Sequence, residues 1–197
     1  MLLFPGQTHT ANVRIIRSYE ELKERIKETD AVVTGLPEIC VSVLTADCVP
    51  ILLYDPQNKV VAAAHAGWRG TAESVTLNTV EIMKDHLGCN PRNMLAGIGP
   101  SIGPANYEVG ENVIRSVEDN PHMAADSVLT KRPHGKALFN LWEANRQQLL
   151  IGGLNKLNIE IAGICTFENH QTFFSARKLG NPCGRFASGI MQKCLNP

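Results

Sequence analysis

The chain has 197 residues, 19 Lys and Arg against 19 Asp and Glu, hence zero formal net charge, with 44% of residues apolar and 19% charged. That length buries a sizeable core without disulfide staples and favours one domain over residues 1–197. Neutrality excludes the basic field on which nucleic-acid binding and polybasic membrane attachment rest, and no apolar stretch approaches the ~20 residues of a membrane helix. Met1-Leu2-Leu3-Phe4-Pro5-Gly6 lacks a basic n-region and a full-length apolar h-region, so cytoplasm is the expected compartment. Cysteines 40, 48, 89, 165, 183 and 194 show no CxxC spacing, which argues against a disulfide framework or a zinc ribbon.

In chain order, residues 13–16 are strand-like, and Ser18-Tyr19-Glu20-Glu21 has the form of a capping box opening a helix with Tyr19, Leu22 and Ile26 on one face. Residues 31–34, 39–44, 49–54 and 59–65 are short Val- and Ile-rich runs separated by Gly, Pro, Asp and Asn, which predicts four strands in quick succession. A helix is predicted over 71–87, with Val75, Thr79, Ile82 and Met83 inward and Gly88 as its stop. Residues 94–98 predict a buried strand. Asn140 with Glu143 caps a helix through Leu150 that Gly152-Gly153 ends, and residues 159–165 return as a strand. The class implied is α+β (mixed α/β), packed mixed β-sheets flanked by helices.

Asp55-Pro56-Gln57-Asn58 is a strong turn signal between two apolar runs and predicts a hairpin. With those four residues as the loop, Tyr54 faces Lys59 and Cys48 lies directly across from His65, where opposed Cβ atoms are ~4.5–5.5 Å apart. Such a pair meets Zn–S and Zn–N distances of ~2.3 and ~2.0–2.1 Å. Pro50 marks the first of these strands as an edge strand or as bulged near its start. Asp47 precedes one strand and Arg69 follows the other, so an Asp, a Cys, a His and an Arg gather at one end of the hairpin. A cysteine and a histidine within reach admit two chemistries: a metal-free cysteine hydrolase using Cys48 and His65, or a metal centre. A third ligand decides between them. His86 sits in the last turn of a predicted helix, His122, His134 and His170 in loops, and His9, ahead of residues 13–16, is the best placed to enter a core sheet.

Gln7-Thr8-His9, Thr45-Ala46-Asp47-Cys48-Val49-Pro50, His65-Ala66-Gly67-Trp68-Arg69-Gly70, Gly99-Pro100-Ser101-Ile102-Gly103, Tyr107-Glu108-Val109-Gly110 and Phe173-Phe174-Ser175-Ala176-Arg177-Lys178 together resemble one family. It is the family long known as multicopper polyphenol oxidase or laccase-domain proteins, the YfiH- and YlmD-like proteins related to human FAMIN, and the likeness runs from about residue 7 to residue 191. The resemblance implies phosphorolysis of adenosine, inosine and methylthioadenosine, with adenosine deamination as a second activity. It implies purine nucleosides and phosphate as partners and a metal, usually zinc, held by His9, Cys48 and His65 with one position left open. Asp47 is the expected acid/base or ligand-orienting group, and Gln7, Arg69 and Arg177 the expected substrate contacts; a homodimer is among the assemblies open to such a protein.

The family's older name implies instead a copper-dependent polyphenol oxidase. The sequence has no His-x-His pair and only six histidines, which speaks against a multicopper cluster, although copper outranks zinc on intrinsic affinity for one site. The zinc-deaminase signature with Pro-Cys-x-x-Cys is absent, since Pro182-Cys183 lacks its second cysteine, so deamination would use another geometry. Gly97-Ile98-Gly99-Pro100-Ser101-Ile102-Gly103 departs from GxGxxG spacing and reads as a structural turn rather than a phosphate loop. Two departures from the family stand out: almost nothing precedes Gln7-Thr8-His9, so a family core lacking its usual N-terminal segment is expected, and residues 175–178 and 181–185 differ from the commoner patterns. The first of these motivates a further reading, a non-catalytic remnant.

Overall fold

The computed structural model describes residues 1–180 and 182–193; Asn181, in the second departure, and Cys194 lie outside the described residues. In chain order the strands are β1 (Leu2–Leu3), β2 (Val13–Ile16), β3 (Ala31–Thr34), β4 (Cys40–Thr45), β5 (Val49–Asp55), β6 (Val60–Ala66), β7 (Leu95–Ile98), β8 (Glu108–Val109), β9 (Leu129–Arg132), β10 (Lys136–Phe139), β11 (Ile159–Ile161) and β12 (Phe186–Met191). The helices are α1 (Trp68–Ala72), α2 (Val75–Leu87), α3 (Glu111–Glu118), α4 (Ala125–Val128), α5 (Leu141–Ile151) and α6 (Ala176–Leu179).

A six-stranded mixed sheet in the order β11-β7-β5-β6-β3-β2 is the centre of the fold. Its inner strands β3 and β6 are buried on both faces, which explains why β6 reads Val-Val-Ala-Ala-Ala-His-Ala without polar alternation. One face carries Ala31, Val33, Ile51, Leu53, Ala62 and Ala64 into a core shared with Val80 and Met83 of α2 and Ala144 and Leu149 of α5. The other face carries Val32, Val61 and Ala63 into a second core closed by Val41 and Val43 of β4, in the three-stranded sheet β1-β4-β12. A small sheet, β8-β10-β9, packs with α3. The expected class holds: mixed sheets with helices on their faces. None of the described helices is long and apolar enough to cross a membrane.

Four local expectations are corrected. The capping-box helix at Ser18 is only a 3-10 turn over Glu20–Lys23 without a side-chain cap, because four residues bury nothing that would extend it. The helix predicted over 71–87 begins at Trp68 and breaks at Ser74, whose backbone is left-handed (φ 65°) and whose hydroxyl accepts from the Asn120 amide at 3.0 Å. The strand predicted over 159–165 ends at Ile161, with Cys165 adding one isolated bridge to Ser101. Pro50 is neither on an edge strand nor bulged: β5 lies between β6 and β7, and Pro50 pairs with His65. It is tolerated because its main-chain groups face past the end of β7, where only its carbonyl is used, accepting from Gly99 N–H at 2.9 Å.

Candidate metal centre

The β5–β6 hairpin forms, with its register displaced from the expectation. Asp55 belongs to the strand and pairs with Val60, so the loop is 56–59, with Lys59 in a left-handed conformation (φ 55°). The Asp55 carboxylate accepts from the Gln57 and Asn58 N–H groups at 2.8 and 3.1 Å, and this capping moves the turn one residue on. His65 therefore lies across from Pro50, and Cys48, just outside β5, lies level with Gly67 rather than with His65. The displacement is by two in pairing, which leaves every side chain on its predicted face. Cys48 and His65 remain neighbours along a diagonal.

Gly67 is then the residue opposite the thiol. A Cβ there would sit 3.0 Å from Cys48 Sγ and 3.1 Å from His9 Cδ2, so the absent side chain is what lets the imidazole of His9 meet the thiol. His9, Cys48 and His65 each present one donor atom, all within 4.8 Å of one another, against separations of about 3.5 Å at a tetrahedral zinc. The His9 and His65 rings meet edge to face with centroids 4.8 Å apart. His65 is buried, Cys48 half-buried and His9 exposed, so the trio opens on one side.

A residue the sequence reading missed stands behind the trio. Asp30, fully buried, accepts from His65 Nδ1 at 2.7 Å and from the N–H groups of Thr8, His9 and Thr10 at 3.1, 3.0 and 2.7 Å, with the Thr10 hydroxyl at 2.8 Å. Burial pushes its carboxyl up, but these bonds outweigh that and hold it well below the usual carboxylate range. The only signal in the sequence was an acidic residue leading an apolar strand; that β3 runs antiparallel to β6, with Ala31 against Ala64, is tertiary information. Burial opposes ionisation of Cys48 too, yet His65 and His9 bring the thiol down to about 6. Burial likewise opposes protonation of His65, and Asp30 and Cys48 lift it to about 9. The pocket favours the thiolate, the donor state a metal requires of Cys48, while a metal would take the place of the second proton on His65.

The remaining candidates divide. Gln7 lines the cleft and is tied to the chain by its amide, donating to Leu44 O and accepting from Leu44 N–H, both at 2.8 Å. Asp47, left-handed (φ 81°) where the chain passes from β4 to β5, accepts from the Thr166 hydroxyl at 2.7 Å and the Arg177 N–H at 2.6 Å. Both its oxygens thus tie the C-terminal segment to this corner. The Arg177 guanidinium lies over the Tyr107 ring at 5.2 Å and donates to Glu108 O, and Arg69 lies over Trp68 at 4.5 Å. The cleft above the trio, about 470 Å³, is walled by Gln7, Ala46, Ala176 and Arg185. Arg185 is an arginine lining the cleft, its Nη1 donating to the carbonyls of Cys183 and Gly184 at 2.7 and 3.0 Å. The 97–103 segment is a turn whose N–H groups are consumed by the protein: Gly99 to Pro50 O, Ser101 to Ile164 O, Ile102 to Asp47 O and Gly103 to Cys165 Sγ.

The family profile described as multi-copper polyphenol oxidoreductase laccase matches residues 1–193. The chain belongs to that family. Its relatives within the laccase family include a purine nucleoside phosphorylase of Bacteroides thetaiotaomicron, 40% identical over 96% of this chain and 73% of the relative, and adenosine deaminase RL5 of an unknown prokaryotic organism, 37% identical over 98% and 75%. The crystal structure of Bacillus licheniformis hypothetical protein YfiH superposes with a TM-score of 0.93 at 32% identity, covering 98% of this chain and 74% of that one. This laccase-family chain shares the fold of that structure over nearly all of its length.

Proposed function

We propose that this chain is a purine nucleoside phosphorylase with adenosine deamination as a second activity, working with a zinc ion held by His9, Cys48 and His65. The observation that carries the reading is the convergence of two imidazoles and one thiol, open on one side, at the floor of a cleft edged by Arg185. Three protein donors with a free fourth direction are the pattern of a catalytic rather than a structural site. The donor set fits the ion: a low thiol, a His65 ring whose Nδ1 is held by a carboxylate, and a glycine where a Cβ would crowd two of the ligands. When bound, zinc supplies Lewis acidity to a water ligand or a substrate atom.

The chain's own residues supply the rest. Arg185 places a positive charge at the cleft for phosphate or a nucleoside hydroxyl, and the Asp47 clamp on Thr166 and Arg177 N–H holds the start of α6, with Ala176, in the cleft wall. Gln7 is fixed to β4 through Leu44, which leaves one amide N–H and one oxygen lone pair for a purine at the cleft. We read residues 1–197 as one catalytic domain. Similarity to the phosphorylase and deaminase relatives supports the substrate class. The family description favours a copper oxidase as the second reading. Against it, the described residues bring together one three-donor group of this kind.

The test is incubation of metal-defined protein with inosine and phosphate, following hypoxanthine and ribose 1-phosphate, then with adenosine, following inosine. Turnover is expected with one equivalent of zinc and is lost in Cys48→Ala together with the metal. No turnover at full zinc occupancy, or phenol oxidation confined to the copper-loaded protein, overturns the reading.

A further inference from the structure

Asp30 is better connected than any group lining the cleft, yet it lies behind the site and touches no substrate space. Its Oδ1 accepts from His65 Nδ1 at 2.7 Å and from His9 N–H at 3.0 Å; its Oδ2 accepts from Thr8 N–H, Thr10 N–H and the Thr10 hydroxyl. Three successive N–H groups can wrap one carboxylate only if the chain curls around it, and the curl is visible as a left-handed His9 (φ 62°), a conformation unfavourable for a non-glycine residue. The Asp30 carbonyl also accepts from His65 N–H at 2.7 Å, so main chain and side chain of one residue both fix His65.

We infer that Asp30 is the positioning residue of the metal centre, one carboxylate that sets both the ring orientation of His65 and the backbone turn presenting His9. This rests on the reading that His9, Cys48 and His65 bind a metal. With Nδ1–H donated to Asp30, Nε2 is the nitrogen left to face the thiol and to give its lone pair to a metal; an amide NH2 turned to Nδ1 in place of the carboxylate oxygen would donate to it and put the proton on Nε2, closing the ring to metal. The same replacement removes the charge around which residues 8–10 curl and sets an N–H2 group against His9 N–H, so the left-handed turn at His9 loses that bond and keeps only weaker, uncharged ones to Thr8 and Thr10. Cys48, which Asp30 does not touch, keeps its place on the hairpin. Two of the three donors thus depend on one residue that is not itself a ligand.

The test is cobalt(II) and zinc titration of Asp30→Asn beside wild type and Cys48→Ala, with far-ultraviolet circular dichroism to establish that each is folded. Wild type is expected to take one equivalent with tetrahedral d–d and thiolate charge-transfer bands. Asp30→Asn is expected to bind 10–100-fold more weakly, with the thiolate band retained and the d–d bands changed. Wild-type affinity and an unchanged cobalt spectrum in folded Asp30→Asn overturn the proposal. If Asp30→Asn does not fold, Thr10→Val removes the hydroxyl donor to Oδ2 alone, with about threefold weaker cobalt binding expected and unchanged binding refuting. A metal-independent measurement separates the two readings: in apo wild type the His65 Nδ1–H gives an exchange-protected, downfield 1H–15N peak that Asp30→Asn lacks. That peak in a wild type that takes no metal would sink the metal reading and leave Asp30 as the residue that orients His65; its absence from apo wild type would overturn the positioning role.

Discussion

Gly67→Ala isolates the metal centre from the fold. The Gly67 backbone (φ −72°, ψ 175°) is ordinary for alanine, so no strain accompanies the change. Losing glycine at the head of α1 costs a few tenths of a kcal/mol to about 1, and stiffening the unfolded chain returns about 0.4–1, so the two nearly cancel. The new Cβ would stand 3.0 Å from Cys48 Sγ and 3.1 Å from His9 Cδ2, where ordinary contact begins at 3.4 Å, so the two ligands must part by a few tenths of an ångström each. Exposed His9 yields toward solvent, and the apo protein relaxes at little expense. A metal site tolerates only about ±0.2 Å in its ligand distances, so displacements of this size should cost about 1.4–2.8 kcal/mol, tenfold to hundredfold in affinity. Competition against a chromophoric zinc chelator measures the affinity, and denaturant unfolding of apo protein measures the fold, with a change under about 1 kcal/mol expected. Wild-type zinc affinity in Gly67→Ala would show that the three donors do not meet as described. A loss of more than about 3 kcal/mol in apo stability would show that the crowding falls on the core instead.

Asp47→Ala should still bind one equivalent of zinc, unlike Cys48→Ala, but its 167–185 segment should be cut faster by protease because the ties to Thr166 and Arg177 are gone; loss of metal would place Asp47 closer to the ion than its contacts do. Asn145→Ala strips a buried network in which Asn145 accepts from Thr76 at 2.6 Å and donates to Thr71 at 3.1 Å, and should cost about 3 kcal/mol, read as about 6–12 °C in Tm. Burial pushes the Asp55 carboxyl up, but the Asn58 amide and the Asn58 and Gln57 N–H groups outweigh that and hold it below its ordinary value. Its contribution is thus present above the unfolded pKa near 4 and lost as pH falls below it; stability of Asp55→Asn against pH should be flatter than wild type from about pH 5 downward. Cys89, buried and held up to about 12 by that burial and by the Asp55 carboxylate, should resist iodoacetamide at pH 8 in the folded protein, and Cys48 should be protected only when metal is bound, as peptide mass spectrometry would show.

What the sequence determined by itself was local and periodic. Short β-branched runs between turn residues defined β3, β5, β6 and β7 to within a residue or two, Asn140 and Glu143 announced α5, and Gly88 ended α2 in the left-handed conformation that glycine adopts without strain. The thiol and imidazole on one face of a hairpin were legible too, because a pairing error of two residues preserves the face on which every side chain lies. The tertiary structure decided the rest, because each missing piece is a contact between segments distant in sequence. Asp30 meets His65 across 35 residues because β3 happens to pair with β6, and no periodicity in either segment announces that pairing. Asp47, Thr166 and Arg177 meet across more than a hundred residues for the same reason. The buried amides of Asn145 and Gln148, polar residues on the inner face of α5, find partners across the core in Thr71 of α1 and Thr76 and Leu77 of α2, with Leu141 O one turn back in α5. A sequence names the donors of such a site through local chemistry; which carboxylate holds them, and in what geometry, is set by strand order.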